Sequence, residues 1–169
     1  MNSATKSDQF LGVIQANKGI IYKVANSYCR DSEDRKDLIQ EIIVQLWLSF
    51  HKYDGNFALT TWIYRIALNV SISFYRKENR RSEMNQTMPD GIIYLNEEAA
   101  CEEADSNLVH LNRFIKELKE IDRAVIILYL EGKSHQESAD VLGLSVKNIS
   151  VKISRIKEQL RQKFSTIQS

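Results

Sequence analysis

Apolar residues in most of this chain recur at three- and four-residue spacing, and they almost nowhere alternate with polar residues as in a strand. The first three blocks of this kind cover about 10–30, 35–50 and 60–81. A polar break at 31–34 supplies carboxylates and a hydroxyl suited to capping the second helix. The chain's one proline, Pro89, lies outside all of these blocks. The pattern predicts an all-α protein.

The third block has two distinct faces. We expect Thr60 or Thr61 to cap this helix after a loop at 51–59 that contains Gly55. Its apolar positions follow helical spacing and predict a core face: Ile63, Ile66, Ala67, Val70 and Phe74. A separate face is polar: Arg65, Asn69, Ser73 and Arg76.

Residues 83–105 differ in composition from the rest, because they contain seven acidic residues and no Lys or Arg. We interpret this segment as an acidic linker between two small helical domains, residues 1–82 and 106–169. A solvated spacer that merely separates the domains is the simpler alternative.

The second domain contains the pattern of a helix-turn-helix. Two apolar helix stripes come first: Leu111, Phe114, Ile115 and Leu118, then Val125, Ile126, Leu128 and Tyr129. Gly132 ends the second of these helices, Ser134 caps a short helix that ends at Leu142, and Gly143 permits the tight turn. Ser145 then caps a last helix that ends near Phe164. The small Ala139 allows close helix approach, and the inner face is apolar: Val141, Leu144, Ile149, Ile153 and Ile156.

The last helix is strongly basic although the whole chain has a net charge of only +1. Six cations are opposed only by Glu158, a local balance of +5: Lys147, Lys152, Arg155, Lys157, Arg161 and Lys163. Such side chains meet phosphates, while Asn148, Ser150 and Ser154 in the N-terminal half of the helix are suited to base edges. The pattern predicts duplex DNA binding.

The third helix combines cations with aromatic side chains. The cations are Arg65, Arg76, Lys77, Arg80 and Arg81, and the aromatic residues are Trp62, Tyr64 and Tyr75. Cations for phosphates and aromatic rings for unstacked bases are the chemistry of single-strand capture. For Trp62 and Tyr64 a core position is the alternative, and for Trp62 we favour it.

Other classes of site lack support in the sequence. The two cysteines, Cys29 and Cys101, are far apart, and the three histidines are scattered, so we expect reduced thiols and neither a metal site nor a cofactor. No glycine-rich phosphate loop or Cys–His pair indicates an enzyme or a small-molecule substrate. The polar first ten residues and the lack of a long apolar run predict a soluble, cytoplasmic protein.

Three motifs resemble the sigma-70 family of bacterial RNA polymerase sigma factors. The first, similar to region 2.2, is Asp37-Leu38-Ile39-Gln40-Glu41 with Leu46-Trp47. The second resembles regions 2.3 and 2.4 of the extracytoplasmic-function (ECF) group: Thr61-Trp62-Ile63-Tyr64-Arg65-Ile66-Ala67-Leu68-Asn69. The helix-turn-helix, with Ser145, Ile149, Lys152 and Arg155, is similar to region 4.2. Sigma factors of the ECF group consist of regions 2 and 4 alone, joined by a linker.

The resemblance implies an alternative sigma factor, a non-enzymatic subunit that binds core RNA polymerase and opens promoters. It implies docking on the clamp helices of the largest subunit, and on the flap, with these residues at the clamp: Asp37, Gln40, Glu41 and Trp47. Trp47 as a core residue remains equally open. It also implies an anti-sigma partner, often membrane-anchored.

The resemblance further implies two DNA surfaces. Residues for the minus-ten element and melting are Tyr53, Trp62, Arg65, Asn69, Arg76, Lys77 and Arg80. Residues for the minus-thirty-five element are Lys147, Asn148, Ser150, Val151, Lys152, Ser154 and Arg155. By the same resemblance, the acidic linker threads the polymerase cleft, where its charge would mimic RNA.

Some residues depart from the family pattern. Thr60 and Leu68 stand where a basic residue is frequent, and Ser138 stands where an apolar residue is usual. A transcription regulator that binds operators without polymerase remains the alternative function. It explains the helix-turn-helix equally well but leaves the features of the first domain unexplained.

Overall fold

The computed structural model describes residues 3–84 and 106–168, and within these two ranges every regular element is helical. A short 3-10 turn covers Phe50–Lys52. The α-helices are α1 (Ser3–Tyr28), α2 (Ser32–Ser49), α3 (Leu59–Met84), α4 (Ser106–Glu117), α5 (Glu120–Leu130), α6 (His135–Leu142) and α7 (Val146–Gln168). The all-α prediction is confirmed.

Local capping signals fix the starts of three helices. Asp31 caps α2 by accepting the backbone N–H of Glu33. Ser134 and Glu137 form a reciprocal capping box at the start of α6, in which each side chain accepts the other residue's backbone N–H. The Ser145 hydroxyl accepts the N–H of Asn148 at 3.0 Å and caps α7. The expected caps of α6 and α7 are confirmed. The polar break at 31–34 caps α2 as expected, but α2 begins at Ser32, about three residues before the expected start.

The ends of α1 and α3 differ from those that the sequence predicted. Helix α1 begins at Ser3 and bends at Asn17, whose φ of −124° is not helical and whose side chain donates to the carbonyl of Val13. Helix α3 begins at Leu59, so Thr60 and Thr61 lie within its first turn, and neither is the N-cap as we had expected. It extends to Met84 and therefore includes the first two residues of the predicted linker.

The first three helices pack around one apolar core. Its buried residues come from all three helices: Phe10, Ile21, Val24, Ala25 and Tyr28 of α1, Leu38, Ile42 and Leu46 of α2, and Ile63, Tyr64, Ala67, Leu68 and Ile72 of α3. Within the expected core face of α3, Ile63 and Ala67 are fully buried, whereas Ile66, Val70 and Phe74 are partly buried at its border. This bundle holds the polar face of α3 and the outer face of α2 in fixed positions.

The helix-turn-helix is formed by α6 and α7. Gly143 has a left-handed φ of 69°, and the N–H groups of Gly143 and Leu144 both donate to the carbonyl of Ala139. On the inner side of α7, Ile149, Ile153 and Ile156 are buried. They pack against Ile115 of α4 and against Val125 and Ile126 of α5. The expected motif is confirmed in layout.

The two helical parts pack against each other. Helix α5 contacts α1 and α3, helix α6 contacts α3, and the first core includes Ala124, Ile127, Leu128 and Val141 from the second part. Val141 therefore packs on the first bundle and not, as we expected, on the inner face of the helix-turn-helix. The division into 1–82, 83–105 and 106–169 stays a prediction, and the linker from residue 85 to residue 105 lies outside the described residues.

Candidate nucleic-acid and polymerase interface

The polar side of α3 presents several of the residues that we expected at the minus-ten element. Arg65, Asn69, Arg76 and Arg80 are exposed, and their spacing places them along one side of the helix. Lys77 is exposed beside them. The bundle thus supports a row of cations and an amide on a rigid helix.

The aromatic residues near α3 differ in exposure. Trp62 is partly buried, and its ring centroid lies 5.3 Å from that of Tyr53 and 6.2 Å from that of Phe50. The Tyr53 hydroxyl donates to the carbonyl of Phe57 at 2.6 Å. Tyr64 is buried in the core, where burial and the nearby Glu131 carboxylate raise its pKa. Tyr53 and Trp62 therefore lie at the edge of the polar side of α3, together with Phe57, which is 43% exposed and lines a narrow cleft with Trp62 and Arg65.

Tyr75 and Arg76 face the second part of the chain. The Arg123 guanidinium lies 4.7 Å from the centroid of the Tyr75 ring. Arg76 donates through Nε to the Glu120 carboxylate at 2.9 Å, and this hydrogen bond is the main reason that the pKa of Glu120 is lowered. In this arrangement both residues contact the second part of the chain, although the Arg76 side chain is still 53% exposed.

Helix α7 presents an exposed face suited to the major groove. The residues on this face are Lys147, Asn148, Ser150, Val151, Ser154 and Arg155. They surround the N-terminal half of the helix, which is the half that reads bases in helix-turn-helix proteins. Six of the seven residues that we expected at the minus-thirty-five element therefore share one accessible surface.

The seventh residue, Lys152, is only partly exposed. Its Nζ lies 3.0 Å from the Asp122 carboxylate. Lys163 similarly pairs with Glu117 at 2.6 Å, and the Lys157 ammonium lies 4.4 Å from the centroid of the Tyr129 ring. The sequence balance of +5 on α7 counted Glu158 alone, so it overstated the charge that is free to meet DNA.

The outer face of α2 carries the residues that we expected to dock on polymerase. Asp37, Gln40 and Glu41 are exposed, while Leu38, Ile42 and Leu46 on the opposite side are buried. Trp47 is 44% exposed and packs edge-on against Phe10, with the centroids 5.0 Å apart. It is therefore a surface residue with one edge on the core.

Sequence reasoning missed two further members of this face. Val44 and Leu48 are 47% and 56% exposed, and they flank Trp47 at three- and one-residue spacing. Acids, amides and large apolar side chains thus share one surface, a mixture typical of protein interfaces. The signal was present in the sequence, because positions 37, 41, 44 and 48 repeat with helical periodicity.

Other kinds of site find little support in the structure. Among residues 3–84 and 106–168, no group of three His, Cys, Asp or Glu side chains is placed to hold a metal ion. Burial raises the pKa of the Cys29 thiol to about 12, which disfavours the reactive thiolate. None of the described helices is both long and apolar enough to cross a membrane.

Comparisons with known proteins agree with this arrangement. Two family models match the chain: "Sigma-70 region 2" over residues 13–81 and "Sigma-70, region 4" over residues 109–160. The ECF RNA polymerase sigma factor SigW of Bacillus subtilis is 26% identical, with 92% of this chain and 88% of SigW covered. The RNA polymerase sigma factor CnrH of Cupriavidus metallidurans is 28% identical, with 94% and 88% covered.

Solved structures of sigma factors share the fold. The sigma factor RpoE of Bartonella quintana, in complex with the anti-sigma factor NepR, gives a TM-score of 0.70 at 18% identity, over 95% of this chain and 97% of RpoE. CnrH in complex with the cytosolic domain of CnrY gives 0.69 at 24% identity, over 95% and 90%. The chain belongs to the sigma-70 family and is an alternative sigma factor of its ECF group, a subunit that directs RNA polymerase to promoters.

Proposed function

We propose that this sigma factor uses three separate surfaces, one for polymerase and two for promoter DNA. The observation that supports this division is the presence of three exposed faces of different chemistry on α2, α3 and α7. Each face is held on its own helix by buried residues on the opposite side. The sigma factor itself carries out no catalysis, and it acts with polymerase in the cytoplasm.

The outer face of α2 is the surface for core polymerase. Its apolar centre, Trp47 with Val44 and Leu48, is bordered by the acidic Asp37 and Glu41. The residues that dominate the binding energy of an interface are typically large aromatic side chains at its centre, surrounded by a rim of polar groups. The clamp helices of the largest subunit are the partner that the family resemblance implies, and the flap would receive the second part of the chain.

The polar side of α3 is the surface for the minus-ten element. Asn69 and Arg65 would contact the nontemplate strand, Arg76 and Arg80 would hold its phosphates, and the Tyr53–Trp62 pair would provide aromatic contact for an unstacked base. Stacking and ionic contacts must together offset a few kcal/mol for each base that leaves the duplex.

The exposed face of α7 is the surface for the minus-thirty-five element. Lys147 and Arg155 would contact phosphates, and Asn148, Ser150, Val151 and Ser154 would approach base edges in the major groove. Lys152 would contribute less than its sequence position suggested, because Asp122 already pairs with it.

An anti-sigma factor is a further partner. The two related sigma factors described above were solved with NepR and with the cytosolic domain of CnrY. A protein that covers the apolar centre of α2 would block polymerase binding. This chain therefore offers a surface of the right kind for such control.

The test is direct binding of the purified chain to core polymerase, with Trp47→Ala as the variant. Loss of a central aromatic anchor should weaken binding by about 2 kcal/mol, roughly 30-fold in Kd. Leu108→Ala is the matched control, because Leu108 is a large apolar residue of α4 with similar exposure, 51%, outside the proposed surface. Equal affinities for the two variants would contradict the assignment of α2.

A regulator that binds operators without polymerase is not favoured, because both family models and the relatives are sigma factors. The same binding experiment addresses this alternative. A regulator would bind duplex DNA tightly on its own and show no affinity for core polymerase.

A further inference from the structure

Lys152 borders the exposed face of α7 that carries Asn148, Val151 and Arg155, which we call the reading face, and an acid of another helix holds it there. The Lys152 side chain is 27% exposed, and its Nζ lies 3.0 Å from the carboxylate of Asp122 in the first turn of α5. The Asp122 side chain is similarly shielded, at 26% exposure. Because both side chains are largely withdrawn from water, salt screens their attraction less than that of an open surface pair.

The neighbours of Lys152 on α7 show that it has two places to go. Asn148 and Arg155 lie four positions before it and three positions after it, so they flank it on one side of the helix. On the other side Ile149 and Ile153 are buried. Lys152 therefore stands on the boundary between the reading face and the core. Its flexible four-carbon chain can turn inward to α5 or outward to the reading face.

The inward position lies in a cleft between α5 and α7. The cleft has a volume of about 700 Å³, and its walls include Lys119, Asp122, Lys152 and Arg155. Lys152 and Arg155 are like charges on neighbouring turns of one helix, and such charges repel each other. The Asp122 carboxylate offsets this repulsion. It holds Lys152 on the side of the cleft, while Arg155 stays exposed on the reading face.

The same cleft contains a second ion pair that serves as a comparison. Glu117 pairs with Lys163 of α7 at 2.6 Å, and both residues line the cleft. Lys163 follows Lys152 by eleven positions, which is roughly 16 Å along the helix axis. It therefore lies well away from the N-terminal half of α7, which is the half that reads bases.

A lysine on the reading face would change what α7 recognises. Its ammonium group donates to the O6 and N7 acceptors of guanine, whereas the amide of an asparagine such as Asn148 pairs best with adenine. A lysine that instead met a phosphate would add affinity without adding sequence information. The residue that decides where Lys152 points therefore bears on base preference.

We propose that Asp122 is a specificity-determining residue of the minus-thirty-five surface although it does not itself contact DNA. It keeps Lys152 off the reading face and leaves base recognition to the other residues of that face. Asp122 is thus a positioning residue, which acts through Lys152. The inference rests on the proposed function, because it assumes that α7 reads the minus-thirty-five element.

The test compares the DNA that is selected by holoenzymes differing only in the sigma factor. Core polymerase is combined with the unmodified chain or with Asp122→Asn, which removes the charge and keeps the shape of the side chain. Each holoenzyme selects promoters from a random duplex library, and the bound DNA is sequenced. The salt dependence of binding to the promoter that the unmodified holoenzyme selects is measured on the same proteins.

We expect Asp122→Asn to enrich guanine about fivefold at one position of the upstream element, because the released Lys152 reaches a base edge. Asp122→Glu keeps the carboxylate and should retain the original preference. Glu117→Gln is the matched control, since it makes the same charge change at the pair remote from the bases. It should select the same element as the unmodified chain.

A double variant separates this role from a disturbance of α5. In Asp122→Asn/Lys152→Met the released cation is absent, so the enrichment of guanine should disappear. A preference that is altered to the same extent in the double variant would show that Asp122 acts through the packing of α5 and not through Lys152. Circular dichroism of each variant reports whether its helices are intact.

Two further outcomes would overturn the inference. An unchanged base preference in Asp122→Asn is the first. The second is a slope of log K against log salt concentration that is steeper by about 0.9 with no change in base preference, because Lys152 would then be withheld from a phosphate only.

Asn148→Ala distinguishes failure of the inference from failure of the proposed function. If Asn148→Ala alters the selected upstream element and Asp122→Asn does not, α7 reads the promoter and only the role of Asp122 fails. If neither variant alters the element, α7 does not read it, and the proposed function of this surface fails together with the inference.

Discussion

Two buried polar residues show how partners decide the cost of burial. Arg123 is fully buried, and three carbonyls and two aromatic rings surround its guanidinium, of which only Nε has no hydrogen-bond partner among the described residues. Ser138 of α6 is 1% exposed, and its hydroxyl has no hydrogen-bond partner among the described residues. A buried hydroxyl without a partner costs about 1–3 kcal/mol. Ser138 therefore weakens the second part, whereas Arg123 contributes specific contacts between the parts.

We expect Ser138→Ala to stabilise the chain by about 1 kcal/mol, because it removes a buried hydroxyl and leaves almost no cavity. Urea unfolding followed by circular dichroism measures the change. Ser73→Ala is the control, since Ser73 is an exposed serine of α3 that shares only the small gain in helix propensity. A Ser138→Ala variant that is less stable than the unmodified chain would show that the hydroxyl has a partner.

At the residue scale, the sequence predicted correctly which side chains of α3 and α7 are exposed, but it did not predict which charged residues form ion pairs. The exposed positions on α3 and α7 follow from helical spacing, because the apolar residues determine which side is buried. The Lys152–Asp122 pair could not be predicted, since the two residues are 30 positions apart and meet only after α5 packs on α7. The burial of Arg123 also ran against the usual exposure of charged residues.

At the scale of elements, local chemistry predicted most helix ends. The Ser134–Glu137 box and the left-handed Gly143 are encoded within a few residues, so α6 and its turn were expected correctly. The expected cap of α3 was wrong by two or three residues, because the helix begins at Leu59 and the backbone carbonyl of Ala58 accepts the N–H of Trp62. The bend at Asn17 had no signal that we recognised.

The turn of the helix-turn-helix should depend on backbone conformation alone. Gly143 has φ of 69°, and a Cβ there would meet nothing within 4 Å. Gly143→Ala should therefore destabilise the chain by about 1 kcal/mol through strain in the left-handed region.

Gly12→Ala is the opposite control for that prediction. Gly12 lies in α1 with no positive φ and also has open space. Alanine there should stabilise the chain by about 0.5–1 kcal/mol, as measured by thermal or urea unfolding. Changes of the same sign at the two positions would contradict the backbone explanation.

Helix α7 should show its phosphate contacts in the salt dependence of promoter binding. For promoter binding by the holoenzyme, Lys147→Ala should reduce the magnitude of the slope of log K (the binding constant) against log salt concentration by about 0.9. The reason is that the variant neutralises one phosphate fewer and so releases one counterion fewer from the DNA. Lys152→Ala is the matched comparison, and its slope should change less, since Asp122 already neutralises Lys152. A larger effect for Lys152 would mean that its pair with Asp122 breaks on DNA.

For the whole molecule, the sequence indicated two helical domains and the family, but it did not indicate how they meet. That packing depends on α5, whose residues contribute to both cores: Val125 and Ile126 to the second, Ala124, Ile127 and Leu128 to the first. An almost uniformly apolar helix is typical of an element buried on several sides. The run from 124 to 128 was the available signal for contact between the parts.

The central claim is that this chain makes core RNA polymerase initiate at specific promoters. The measurement that tests it most directly is run-off transcription on a promoter library, with bacterial core polymerase in the presence and absence of the chain. We expect start sites that depend on the chain and share two upstream elements. No stimulation of transcription, together with tight duplex binding by the chain alone, would contradict the claim.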